Sequence, residues 1–153
     1  MKKMFNNVAE IEVVYKPAIS DKPIISSSLD AYNVLVKFFP IETLSLQERF
    51  VAMYLNRSNR VIGVYPMSVG GITGTVVDVR LLLSVALKTA ATGIILAHNH
   101  PSGNLKPSEA DKELTIKIRE ACKLMDIQLL DHLIISSTGS YSFEDETRLG
   151  LNK

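Results

Sequence analysis

From Ser28 to Phe39 the apolar residues Leu29, Tyr32, Val34, Leu35 and Phe38 recur at helical spacing, and Pro40 closes the run. Residues 9–16 alternate loosely and predict an edge strand that leads into a loop marked by Pro17 and Pro23. Glu48 to Leu55 is rich in Phe, Val and Tyr, Asn56–Arg60 is a polar turn, and Val61 to Pro66 predicts the return strand of a hairpin. Residues 68–77 form a glycine-bearing loop or twisted strand, without the Gly-Lys-Ser/Thr of a phosphate loop. Asp78 predicts the N-cap of a helix over 79–90, with Leu82, Leu83, Ala86, Leu87 and Ala90 on its buried face and Gly93 ending it. The continuous run Ile94–Ala97 predicts a strand buried on both faces. After a loop at 101–107 comes a helix over 109–125, whose stripe is Leu114, Ile118, Ala121, Cys122 and Met125. Gln128–Ser136 and Tyr141–Phe143 predict two last strands. Strands alternate with helices and no linker interrupts them, so the chain reads as one α/β domain over 1–153, with its core at about 45–143.

Composition narrows this little but excludes several classes. A length of 153 residues suits one domain and can bury a core without a disulfide or structural metal. One cysteine cannot build a disulfide framework or a four-thiolate zinc site, and Cys122, on an apolar stripe, reads as inert core. With 17 Lys+Arg against 16 Asp+Glu the net charge is +1, so any sequence-independent DNA binding is expected to be weak and salt-sensitive. Lys112, Lys117, Arg119 and Lys123 read as the solvated face of their helix rather than a nucleic-acid surface. The opening residues lack the apolar core of a signal peptide, and no apolar run nears the ~18 residues of a membrane helix. A cytoplasmic chain with no membrane contact is the expectation.

The chemistry concentrates between Ile94 and Asp111. His98 and His100 stand where the buried strand runs out, and residues two apart in extended chain project to the same side. Neutral imidazoles with a third ligand such as Asp would leave a fourth zinc position open to water. The pair alone fits a surface or core location equally well. Ser108 and Asp111 likewise make a sufficient capping-box start for the following helix, although an aspartate in a first turn can also face an ion.

Taken together, His98-Asn99-His100-Pro101, then Ser108 and Asp111, resemble the motif of the JAMM (MPN+/JAB) metalloproteases: His-x-His, seven residues, Ser-x-x-Asp, with a distant upstream Glu. The strings HNHPSG, PSEAD and LLDHLII are similar to the RadC branch of that superfamily, and the likeness runs from about Ser45 to Phe143. It implies a JAB/MPN-like fold of the cytidine-deaminase-like three-layer kind, a mixed sheet flanked by helices. It also implies one zinc ion per chain held by His98, His100 and Asp111, with water as the fourth ligand and its pKa lowered to ~7. Glu48 takes the family's place for the general base, with Glu42 as the rival, and Ser108 that of the residue that helps hold the carbonyl oxygen. Asp131 and His132 are expected beside the site, as an orienting carboxylate–imidazole pair ahead of a plain strand-end histidine or a fourth ligand. Arg80 receives no role, because Leu81 stands where the pattern has an acidic residue.

The activity implied is hydrolysis of a peptide or isopeptide amide in a protein substrate. The alternative is a DNA-repair-associated or non-catalytic metal-binding module, to which the branch is linked by name. The helix-hairpin-helix region of full-length members has no match in the residues before the core. A nucleoside deaminase is excluded by residue type, since that chemistry uses His-x-Glu followed by Pro-Cys-x-x-Cys.

Overall fold

The computed structural model describes residues 7–17, 22–71 and 76–148, and the backbone of Met4–Phe5. Its centre is a five-stranded mixed sheet in the order β4-β3-β5-β6-β7. These strands are β3 (Arg49–Leu55), β4 (Val61–Val69), β5 (Gly93–Asn99), β6 (Gln128–Ile135) and β7 (Ser140–Ser142). β5 and β6 run parallel, and every other pairing is antiparallel.

Period-two alternation sends the side chains of β3 and β5 to both faces, and both faces are covered. Phe50, Ala52, Tyr54, Ile94 and Leu96 pack with Leu82 and Ala86 of helix α2 (Val79–Lys88) and with Ile118 and Cys122 of α3 (Glu109–Leu124). Val51, Met53, Leu55, Ile95 and Ala97 pack on the other face with Ala31 and Leu35 of α1 (Ser28–Leu35). The result is the three-layer arrangement, with α1 on one side and α2 and α3 on the other. Leu96 is wholly buried in the central strand, so Leu96→Ala should cost about 2–5 kcal/mol. Burial pushes the Cys122 thiol up to about 11, consistent with inert core.

One irregularity matters for the site. Ile94 pairs with Leu129 but Ile95 with Asp131, so Leu130 is an extra residue in β6. The bulge places Leu130 against the α1 side and turns the strand's alternation over. His132 therefore faces α3, together with Ile134 and Phe143, while Asp131 faces α1.

Several expected boundaries move. The strand expected at 9–16 is limited to Val8–Ala9 (β2), which pairs with Met4–Phe5 (β1), and residues 10–17 join neither edge of the large sheet. Ile11, Val13 and Val14 stay exposed there, because alternation alone does not make a strand without a partner. Helix α1 tightens into a 3-10 turn at Val36–Phe38 before Pro40. α2 ends at Lys88 and the chain turns at Ala90, φ 56°, so Leu87 is exposed and Gly93 begins β5 instead. A Cβ on Gly93 would stand 3.0 Å from the tip of the Leu130 side chain, which would have to shift to admit it. Phe143 opens a short helix, α4 (Phe143–Thr147), capped by Ser142. On α3 the fully buried stripe is Thr115, Ile118 and Cys122, and Met125 is exposed. Of the expected glycine-bearing segment, Ser68 and Val69 extend β4, and residues 72–75 lie outside the described residues.

Candidate metal centre

The site assembles at the carboxyl end of β5. His98 is its penultimate residue and points into the α3 side, with its ring stacked on Phe50 at 5.8 Å between centroids. His100 follows the strand, where the loop folds back on itself: Gly103, at φ 80°, donates its N–H to the His100 carbonyl. The same loop brings the Asn104 carbonyl 2.7 Å from His100 Nδ1. A carbonyl only accepts, so Nδ1 carries the proton and Nε2 presents its lone pair.

Asp111 enters from the first turn of α3. Ser108 Oγ accepts the Asp111 N–H and Asp111 Oδ2 accepts the Ser108 N–H, a full capping box. The cap thus fixes the carboxylate in space instead of competing with the site for it. Oδ2 lies 3.0 Å from His100 Nε2, Oδ1 lies 3.3 Å from His98 Nε2, and the two Nε2 atoms are 3.0 Å apart. Glu48 adds its Oε1 at 3.9 Å from His98 Nε2. Among the described residues these four, with donor atoms all within 4.8 Å of one another, form a group that could hold a metal ion.

The donor set fits a small divalent cation. Zinc–ligand distances of ~2.0–2.1 Å in a tetrahedron place ligand atoms about 3.3 Å apart, close to the triangle seen here. Two lone pairs and a carboxylate converging this closely also repel one another unless something positive lies between them. The same field favours a proton on His100: the Asp111 hydrogen bond raises the His100 pKa above that of free imidazole. For Asp111, burial pushes the carboxyl up, but the bonds to His100 and His98 outweigh it and hold it below the carboxylate range. Burial raises Glu48, with His98 and His100 opposing. Side-chain exposure rises from 1% at His98 to 17% at His100, so the group is open on the His100 side.

A scan of known families finds the RadC-like JAB domain over residues 25–149. The chain belongs to the RadC-like JAB domain family. Among curated relatives it is 50% identical over 122 residues to a UPF0758 protein of Flavobacterium johnsoniae, covering 80% of this chain and 52% of that one. A UPF0758 protein of Streptococcus gordonii is 46% identical over 103 residues, covering 67% and 46%. This RadC-like chain therefore spans about half the length of the curated relatives it matches.

Within this RadC-like domain the residues expected at the site are mostly together. Glu42 is not: it sits exposed in the turn at 41–46, outside the four-residue group. Ser108 is exposed beside Asp111, and its cap uses the hydroxyl oxygen as acceptor, leaving the hydroxyl proton for another partner. His132 is buried, with Nε2 2.7 Å from His98 Nδ1. Asp131 does not orient that ring. Because of the bulge its carboxylate faces away, accepting from Ser142 Oγ, the His132 N–H and the Glu144 N–H. The hydroxyl of Thr115, 2.7 Å from His132 Nδ1, occupies the place expected for Asp131. The lysines of α3 fit a solvated face, with Lys112 beside Glu109 and Lys123 beside Glu120.

Two contributors escape motif reading. Thr115 had a visible signal, a polar residue one turn after Asp111 on an apolar stripe. Asn99, between the histidines, points away from them and is 1% exposed. Its amide donates to the carbonyls of Leu44 and Gln47, and its oxygen accepts the Arg49 N–H. It ties the turn before β3, and so the backbone that carries Glu48, to the strand that carries both histidines.

Proposed function

We propose that this domain is a zinc-dependent hydrolase that cleaves an amide, a peptide or isopeptide bond in a protein substrate. The observation that carries the reading is the convergence of His98 Nε2, His100 Nε2 and the Asp111 carboxylate, with the Glu48 carboxylate beside them and not among the closest three. Family membership and a group able to hold a metal ion fit a metal-dependent hydrolase.

His98, His100 and Asp111 would hold the ion. Bound zinc supplies a Lewis acid and a water of pKa ~7 at neutral pH. Glu48, held at a distance one water can span, takes a proton from the attacking water as its oxygen bonds to the carbonyl carbon. The Ser108 hydroxyl donates toward the carbonyl oxygen as negative charge grows on it. When the C–N bond breaks, the Glu48 carboxyl returns its proton to the leaving nitrogen. A cavity of about 560 Å³ lies at the other end of β5 and β6 near Arg57 and Thr92 and includes none of these groups. A centre open to the surface on the His100 side suits an extended segment of a protein better than a small molecule. Nucleic acid is not the main ligand in this reading.

The test is a panel of peptides and isopeptide-linked conjugates incubated with zinc-loaded protein. Cleavage that a chelator abolishes and zinc restores supports the proposal. A broad panel left intact by fully loaded protein would overturn it in favour of a binding role.

A further inference from the structure

We infer that Thr115 and His132 act as a positioning relay that fixes the tautomer of His98, so that its Nε2 presents a lone pair to the metal. The inference rests on the metal site proposed above, but its geometry can be examined separately. Thr115 Oγ1 lies 2.6 Å from the Asp111 carbonyl oxygen and 2.7 Å from His132 Nδ1. The carbonyl can only accept, so the single hydroxyl proton is committed to it. Donating that proton to His132 instead would leave two oxygen lone pairs facing each other at 2.6 Å. Thr115 therefore accepts from His132, and the proton of that ring is on Nδ1.

The consequence passes along the chain of contacts. His132 Nε2 then holds a lone pair 2.7 Å from His98 Nδ1, which must supply the proton between them. A neutral His98 protonated on Nδ1 has its free lone pair on Nε2, the atom that meets His100 and Asp111. Three contacts use three protons, and none is left over. His132 is wholly buried among aromatic rings, where an uncompensated charge is costly, and its ring is locked by stacking on Phe143 at 4.8 Å and by edge contact with Phe50. The opposite tautomer of His132 would turn His98 over electronically and place a proton where the metal should be.

The relay also starts and ends in one place. Its first acceptor is the backbone of Asp111, and the carboxylate of that residue faces His98 across the centre. Helix α3 and strands β6 and β5 are thus linked in series through Thr115, His132 and His98, and the Asp111 carboxylate, 3.3 Å from His98 Nε2, faces the end of that series across the centre. A satisfied core histidine could be buried here for packing alone, so the test must read proton position and not only stability.

Nitrogen-15 NMR of the metal-free full chain, with long-range proton–nitrogen correlations, reports which ring nitrogen of each histidine is protonated. The expected pattern is Nδ1–H for His98 and His132. Thr115→Val is expected to disturb this pattern and weaken zinc binding by about 10–100-fold, as loss of an outer-shell partner commonly does. Thr115→Ser is expected to restore both. Thermal unfolding of the metal-free variants separates these effects from a general loss of fold. His98 protonated on Nε2 in the wild-type chain, with zinc still bound on titration, would overturn the relay alone. So would Thr115→Val with unchanged tautomers and zinc affinity. Correct tautomers in a wild-type chain that binds no zinc would overturn the metal site itself, and with it any purpose of the relay toward a metal.

Discussion

The Asn99 side-chain oxygen accepts the backbone N–H of Arg49 at 2.7 Å, so the residue between the two candidate ligands His98 and His100 holds the neighbour of Glu48. The arrangement follows from the pleat. His98 and His100 project to one side of the chain, and the residue between them must project to the other. There it meets the turn that enters β3, while Phe50, two residues after Glu48, pairs with His98. The candidate base and the candidate ligands lie far apart in sequence but share two neighbouring strands and one amide clamp.

Replacing Asn99 with leucine should separate these roles. The substitution keeps the volume but leaves the carbonyls of Leu44 and Gln47 and the Arg49 N–H without that partner. Each buried orphan costs about 1–3 kcal/mol. Urea unfolding should show a loss of a few kcal/mol, whereas zinc affinity should change little because no ligand is touched. Zinc affinity that falls in step with stability would place Asn99 in support of the histidines instead of the Glu48 turn.

Asp111 carries two functions that two substitutions can divide. Asp111→Asn retains an oxygen for the Ser108 N–H but loses the charge, so it should unfold close to wild type while binding zinc poorly. Asp111→Ala also loses the side-chain half of the capping box, the acceptor of the Ser108 N–H, and should be less stable by about 0.3–1.5 kcal/mol. Metal analysis should find about one zinc in the wild-type chain and most of it gone in both variants. Stoichiometric zinc in a His98→Ala/His100→Ala double variant would refute the ligand set.

The motif made the centre legible because its spacing encodes local geometry: a strand end for His98 and His100, a helix start for Ser108 and Asp111. What stayed hidden depends on long-range packing. The bulge at Leu130 decides that His132 and not Asp131 faces α3, and no local pattern in LLDHLII announces it. Thr115 owes its role to His132 of β6, a partner that lies seventeen residues on in the chain. The turn at Ala90 was masked by Gly93, the stronger breaker, which opens β5 close to the Leu130 side chain and does not end the helix. Residues 9–16 show the reverse error, a periodic pattern with no edge to pair with.

Asp131 predicts a pH dependence independent of the metal ligands. Burial raises its carboxyl to about 6, against the opposing hydrogen bonds of Ser142, Glu144 and His132. An unfolded aspartate titrates near ~3.9. Between these values the folded chain holds the extra proton, so the Asp131 contribution to stability falls as pH rises from about 4 to 6 and is level above that. The drop is on the order of 2–3 kcal/mol at ~1.4 kcal/mol per pH unit. Asp131→Asn can keep the accepting oxygen for both backbone N–H groups and cannot ionise. Relative to wild type it should gain stability between pH 4.5 and pH 7 in urea unfolding. Parallel pH profiles for the two proteins would show that the carboxyl is ionised in both states.

Glu48→Gln tests whether the fourth carboxylate does chemistry or holds metal. Glu48 Oε1 is 3.9 Å from His98 Nε2, beyond the 3.0–3.3 Å spacing of the other three donors, which suits a group that reaches the centre through a water. Glutamine keeps the length and the hydrogen bonding of the side chain but cannot take up a proton. Zinc content and unfolding should therefore match wild type, while turnover on any substrate found should fall by ~10²–10⁴-fold, the usual loss for a positioned acid–base group. The loss should appear in kcat with KM little changed, because proton transfer belongs to the transition state and not to substrate binding. Zinc lost together with turnover would make Glu48 a ligand, and the centre would then have four protein donors and no position for water. Turnover and zinc both unchanged would move the base elsewhere, to a residue outside the four-residue group, where Glu42 stands exposed in its turn. Lost turnover is common to the expected result and to the ligand outcome, which differ in the metal analysis alone, so that measurement comes before any rate.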